Sequence, residues 1–375
     1  MGRVAAPDVV TLSGTEKPLA QIYDVALLDL DGVVYVGQHA VAGAPEALRG
    51  ARELGMRLAF VTNNAARPPR TVAEHLSALG IPARAEDVIN SAQAAAHYLA
   101  ERLGTGARVL VIGTVGLDEA LAERGLTAVH SADDDPEAVV QGYSPELNWA
   151  QLAEGAVAIR RGIPWVATNV DPTVPSPRGP LPGNGSMVAA LRHATGATPV
   201  VTGKPDPTMH RESVLRSGAQ NPLVVGDRLD TDVEGANAAG CPSLLVLSGV
   251  TSAAELLAAP PLLRPTYLAE DVGGLLQAQI APTLSAEGAS CGRWSVHLSR
   301  DANLTLTARS GGAVPDGAVP DGAVPDAMAA LRALCAAAWR RAAADGRDAG
   351  RIGPVRGADA PAAVVLTSLG LAGPA

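Results

Sequence analysis

The strongest constraint on this chain is a recurring pattern: a short apolar run that stops abruptly at polar residues, followed by a segment of helical spacing. VALLDLD (25–31), RLAFVTNN (57–64), RVLVIG (108–113), PWVATN (164–169) and PLVVGD (222–227) all have this form. Each is the length of a strand buried on both faces, and residues 44–55 and 70–80 between them carry the apolar spacing and closing glycine of amphipathic helices. Strands alternating with helices predict an α/β fold built on a parallel, Rossmann-like sheet. Ligands of such sheets gather beyond the carboxyl ends of the strands. Three of the runs place Asp or Thr-Asn-Asn there.

At roughly 150 residues per domain, 375 residues predict two or three folded units. Hydrophobic residues make up 47% of the chain but include only four Trp, five Tyr and one Phe, so the cores must be built from Ala, Val and Leu. A formal charge of −9 argues against duplex nucleic acid or an anionic membrane as partner, because both require clustered cations. All but two of the 29 basic residues are Arg; the exceptions are Lys17 and Lys204. Cys241, Cys291 and Cys335 are odd in number, far apart and without CxxC spacing, which argues against a disulfide scaffold or zinc ribbon. No secretory leader is read at the start, and no run reaches the ~20 apolar residues of a spanning helix. A cytoplasmic location is expected.

From about residue 281 the character changes. Residues 312–326 are GAVPD three times over, with a proline in every unit, which no helix or central strand accommodates. Around this tract lie two strand-like segments, WSVHLSR and NLTLTAR, and an Ala-rich helix over 327–344. Residues 281–375 hold nine Arg against eight acids, leaving −10 for the rest.

Four motifs carry the chemistry. Asp29-Leu30-Asp31-Gly32-Val33 sets two carboxylates at a strand end, where they can hold a divalent cation or share acid/base work; alone, the pair reads equally as a turn or a helix cap. Val61-Thr62-Asn63-Asn64 offers a hydroxyl, amides and loop N–H groups to phosphate oxygens, or an ordinary N-cap. Gly203-Lys204-Pro205-Asp206-Pro207 places one of the two lysines in a turn, as a compact point charge suited to a phosphoryl group. No GxxxxGK[ST] is present, so this is not a P-loop. Finally, Val225-Gly226-Asp227-Arg228-Leu229-Asp230-Thr231-Asp232 puts three acids in six residues after a strand, with Asp227 best placed as a metal ligand.

In this order and spacing, DLDGVVY, VTNN, GKP and GDRLDTD resemble the four motifs of the haloacid dehalogenase-like phosphatases, in the subclass with a large α/β cap between the second and third motifs. The resemblance covers about residues 20–275. It implies that Asp29 is the nucleophile forming an aspartyl-phosphate, and that Asp31 is the general acid and then base. It implies that Gly32, Thr62, Asn63 and Asn64 contact the phosphate and that Lys204 balances its charge. It further implies that Asp29, Asp31 and Asp227 hold Mg²⁺ while Asp232 orients a metal-bound water. Asp31 favours a phosphohydrolase, since dehalogenases of the superfamily lack this second Asp.

The 142 positions between Thr62 and Lys204 far exceed the ~4–6 residues of a normal connection, so they contain a folded insert. The implied order is core at 1–83, cap at 84–197, core again at 198–280 and a C-terminal module at 281–375. Thr168, Asn169, Asp171, Val174 and the loop 182–186 are expected to line the cap. Val174 stands where relatives acting on pyridoxal phosphate tend to carry His, so a small aliphatic ester such as glycerol phosphate or phosphoglycolate is expected. A sugar phosphate, a nucleotide or pyridoxal phosphate is the alternative substrate. A phosphorylatable receiver-like module is a rival from another class.

None of the seven histidines forms an HxxxH or HExxH pair, and Trp149 and Trp165 are expected to pack inside the cap. The C-terminal module resembles a reduced acetyltransferase appendage, whose candidate acetyl-CoA loop at 347–352 lacks the final small residue. The implied partner is a small phosphate ester. The cap and the C-terminal module are the places where a homodimer would form.

Overall fold

The structure is a computed structural model, and it describes residues 12–174, 178–309, 326–344 and 353–372. The chain divides into two compact units, Met1–Leu58 with Asn221–Ala375, and Ala59–Gln220. The GAVPD tract up to residue 325 and the 347–352 segment lie outside the described residues.

In the first unit, four parallel strands stand in the order Tyr267–Ala269, Ser243–Val246, Pro222–Gly226, Val25–Leu28. Every residue of Val25–Leu28 and Ser243–Val246 is buried, as a sheet covered on both faces requires. Val25 pairs with Pro222 and Leu28 with Val225, so these two strands end side by side and the residues that follow them emerge together.

Residues 281–375 add a five-stranded sheet in the order Thr283–Ser285, Gly288–Cys291, Trp294–Leu298, Leu304–Ala308, Val355–Gly357. It is antiparallel except for its last pair. Helix Ala327–Ala344 does not cover this sheet alone. Its Leu331, Leu334 and Trp339 belong to one apolar cluster with Leu229, Val233, Leu245, Leu256 and Leu268 of the parallel-sheet region. The seam is also hydrogen-bonded: the Trp339 indole donates to the Leu256 carbonyl at 3.1 Å, and the buried Arg332 guanidinium donates to the Leu268 carbonyl and the Gln279 side chain. The helix buries a long run of alanines, Ala329, Ala330, Ala333, Ala336 and Ala337, which let its backbone approach closely. Ala, Val and Leu thus build this core, as composition required.

Strand Arg57–Thr62 crosses the division between the units and pairs in parallel with Val88–Asn90. The second unit then builds its own parallel sheet, in the order Val200–Val201, Trp165–Ala167, Ala138–Gln141, Arg108–Ile112, Thr127–Val129. One face packs against helices Ser91–Leu103 and Val115–Glu123, the other against Trp149–Arg160 and Asn184–Thr195. Glu212, buried on helix Pro207–Ser217, accepts from Arg124 and Arg216 at 2.6 Å and lies 3.3 Å from the His97 ring, joining three helices of this unit.

Trp165 is buried, but Trp149 is not the packing residue expected: it is 82% exposed. Its helix turns Gly155, Ala158 and Ile159 inward, and at about 100° per residue the first position falls on the opposite side. Among the described residues no helix is long and apolar enough to cross a membrane.

Candidate active site

The candidate residues fall into two groups, one in each unit. In the first unit, the Asp29 N–H donates to the Val225 carbonyl at 2.8 Å, extending the ladder one residue beyond the strand. The chain then coils tightly: the N–H groups of Val34 and Tyr35 converge on the Leu30 carbonyl, and the Gly32 N–H reaches the Tyr35 carbonyl. Gly32 holds φ at +85°, and a Cβ there would stand 2.6 Å from Asp227 Oδ2, so both the turn and the close approach demand glycine.

Asp227 follows Pro222–Gly226 directly and is fully buried. Its Oδ2 accepts the Val250 N–H at 2.6 Å and its carbonyl the Thr251 N–H at 3.2 Å, while the Ser248 hydroxyl donates to the Gly32 carbonyl at 2.7 Å. Asp232 is buried in the turn Leu229–Val233 and accepts the Arg228 N–H at 3.2 Å. Leu229 and Val233, on either side, anchor this turn in the apolar cluster shared with Trp339. One carboxylate oxygen from each of Asp29, Asp227 and Asp232 lies within 4.8 Å of the others. Three hard oxygen donors converging at strand tips fit a divalent cation such as Mg²⁺. Asp230 turns outward and pairs with Arg228, and Asp31 is exposed. Beside this turn, burial pushes the Glu234 carboxyl up, and the Asp230 carboxylate adds to the shift.

In the second unit, Thr62 is buried and its hydroxyl accepts the Asn64 N–H at 3.2 Å; the exposed Asn64 in turn accepts the Ala66 N–H at 2.9 Å. The Asn63 side chain turns inward onto the main chain of Lys204. Its Oδ1 accepts the Lys204 N–H at 2.8 Å, and its Nδ2 donates to the Lys204 carbonyl at 3.1 Å and to Asp171 Oδ2 at 3.3 Å. The Asn63 carbonyl accepts the Ser91 hydroxyl at 2.5 Å and Asn169 Nδ2 at 2.8 Å. Lys204 is 4% exposed. A Cβ at Gly203 would meet the Thr168 carbonyl and, at 2.8 Å, Asn63 Oδ1, so only glycine permits this approach. Asp206 caps helix Pro207–Ser217, with proline at its first position, and stops the loop directly after Lys204.

The sequence expects Asn63 and Asn169 near phosphate and substrate. In the structure the Asn63 amide contacts Lys204 and Asp171, and Asn169 is buried, donates to the Asn63 carbonyl and accepts the Asp171 N–H at 3.2 Å. Val174 is half-buried on the two-residue ladder of Thr173–Val174 with Leu181–Pro182. Ser91, Ser248 and Val250 were missed. A signal existed for Ser91, because Asn90-Ser91-Ala92-Gln93 spells a capping box, and Asn90 and Gln93 form one.

Residues 26–127 match a model of haloacid dehalogenase-like hydrolases, residues 201–275 a second hydrolase model of the same kind, and residues 291–371 a GCN5-related N-acetyltransferase-like domain. A D-glycerol 3-phosphate phosphatase of Mycobacterium tuberculosis is 48% identical over 329 residues, which are 88% of this chain and 89% of the relative. The chain belongs to the haloacid dehalogenase-like hydrolases. A 5'-nucleotidase of Bacillus subtilis, YutF, is 37% identical over 61% of this chain and 89% of its own. The crystal structure of glycerol phosphate phosphatase Rv1692 from M. tuberculosis in complex with magnesium is similar with a TM-score of 0.82 and 44% identity, covering 95% of this chain and 100% of that one. This member of the family therefore carries the expected α/β architecture and an acetyltransferase-like C-terminal region.

Proposed function

We propose that this hydrolase is a Mg²⁺-dependent phosphatase of small phosphate monoesters, acting first on D-glycerol 3-phosphate. The observation that carries the reading is the convergence of Asp29 and Asp227, at the ends of neighbouring parallel strands, with Asp232 from the turn that follows. The substrate rests on the name of the relative that is 48% identical.

In this reading an Asp29 carboxylate oxygen attacks phosphorus and the ester P–O bond breaks. Asp31 gives its proton to the departing alkoxide oxygen. A water then loses a proton to Asp31 and attacks the same phosphorus, the bond to Asp29 breaks, and inorganic phosphate leaves with Asp29 restored. Asp31 is suited to exchanging protons because it is exposed, whereas Asp227 is held rigidly by Val250 and Thr251. Thr62 and the N–H groups that follow it bind phosphate oxygens, and the Lys204 ammonium offsets the repulsion between two anions. Mg²⁺, held by Asp29, Asp227 and the Asp31 carbonyl with Asp232 supporting, would supply further compensation of that charge. Residues 84–197 are the specificity cap of this reading, between core segments 1–83 and 198–280, and Asp171 and Val174 are its candidates for substrate contact.

The test is a panel of both glycerol 3-phosphate enantiomers, phosphoglycolate, a sugar phosphate, a nucleoside monophosphate and pyridoxal phosphate, each with and without Mg²⁺. The D-glycerol ester is expected to show the highest kcat/KM. Turnover by Asp29→Asn, or a nucleotide ranking first as the YutF relative's name suggests, would overturn the mechanism or the substrate respectively.

A further inference from the structure

Asn184, in the 182–186 segment expected to line the cap, opens helix Asn184–Thr195 in the second unit and is 1% exposed. Its Nδ2 faces two main-chain carbonyls, Asn169 at 2.7 Å and Gln141 at 3.5 Å. Both neighbours are acceptors, so the amide nitrogen must point at them. The residues around it hold the same segment. The Gly183 N–H and the Ser186 hydroxyl donate to the Pro172 carbonyl at 2.9 and 2.8 Å, and the Gly185 N–H to the Asp171 carbonyl at 2.9 Å.

The Asn169 segment gripped in this way is the one whose amide donates to the Asn63 carbonyl, and Asn63 clamps both main-chain polar groups of Lys204. Three buried or half-buried asparagines thus form one continuous path, each donating to a carbonyl of the next segment. Adjacency alone does not establish coupling. Here the packing removes slack at both ends: a Cβ at Gly185 would run into the Val170 carbonyl, and one at Gly203 into the Thr168 carbonyl. Losing the Asn184 donor leaves the Asn169 carbonyl without that partner, while the Gln141 carbonyl keeps the Thr168 N–H at 2.8 Å, so it is the Asn169 segment that relieves the loss by shifting.

We infer that Asn184 is a positioning residue for the phosphate-binding group. It fixes Asn169, which fixes the Asn63 main chain and, through it, the register of Thr62 with Lys204. This rests on the proposed reading of Thr62 and Lys204 as phosphate contacts.

Binding of inorganic phosphate, measured by calorimetry on resting enzyme with Mg²⁺ present, tests it without requiring turnover. Asn184→Ala is expected to weaken phosphate binding about tenfold, the equivalent of one hydrogen bond, while the Mg²⁺ dissociation constant stays within about twofold of the parent. If that variant does not yield folded protein, Asn184→Ser, which keeps a donor, is expected to weaken phosphate binding about threefold. Unchanged phosphate affinity would make Asn184 a packing residue only and overturn the inference. So would parallel losses of phosphate and Mg²⁺ affinity, which indicate general loosening. Failure of the parent enzyme to bind phosphate at all would overturn the functional reading instead.

Discussion

The Val250 N–H donates to Asp227 Oδ2 at 2.6 Å, so a segment 23 residues further along the chain sets the rotation of the carboxylate proposed as a metal ligand. The contact is charge-assisted, the condition in which hydrogen bonds orient most strongly, and its acceptor Asp227 is buried. Ser248 from the same segment holds the Gly32 carbonyl and ties the two acid-bearing turns together.

Asp227→Asn keeps the shape but removes the charge. Initial rates across a Mg²⁺ titration are expected to show a much higher activation constant and turnover reduced about 10²–10³-fold at saturation, the scale of losing one preorganised electrostatic group. An unchanged Mg²⁺ dependence would remove Asp227 from the metal site.

Asp31→Asn separates proton transfer from attack on phosphorus. With an alkyl ester the rate is expected to fall about 10²–10⁴-fold. With p-nitrophenyl phosphate the loss is expected to be far smaller, because the phenolate departs without a proton. Equal losses on both substrates would rule out the general-acid role.

Trp339→Ala tests whether the C-terminal region is part of the first unit's core or a separable appendage. A buried Trp replaced by Ala destabilises by about 3–5 kcal/mol, and here the cavity opens beside Leu256 in the cluster that also holds Leu229 and Val233. Urea unfolding is expected to shift to lower concentration, with phosphatase activity and Trp fluorescence lost together. Activity persisting after the fluorescence transition would show that the module unfolds by itself.

The cysteines report on the same core. Burial pushes the Cys291 thiol up to about 11, against a weaker downward pull from Arg332, and raises Cys335, which is fully buried, further still. Cys241 is half-buried and is raised by desolvation alone. At pH 8 a thiol reagent is expected to modify Cys241 first and the other two only on unfolding. Rapid labelling of Cys335 in native protein would contradict this packing.

Much of the site was legible in the sequence because its signals are local. Apolar runs bounded by polar residues report strands covered on both faces, and the residue after such a run stands at a strand tip wherever the strand lies in the sheet. Asp29, Thr62 and Asp227 were located in this way, and Lys204 stood out against an Arg-biased background. Other features depend on which distant segments meet. Asn63 clamps a lysine 141 positions away, Val250 orients Asp227, and Trp339 donates to a carbonyl 83 residues earlier. Trp149 faces outward although a large apolar ring is expected to pack inside the cap. Periodicity states which face of an element is apolar, not what will cover it or which carbonyl a buried amide will meet. The sequence by itself therefore determined the strand tips and the acids and lysine they carry. Only the tertiary structure decided how those groups are held, because a buried polar group takes its partner from whatever chain packs against it.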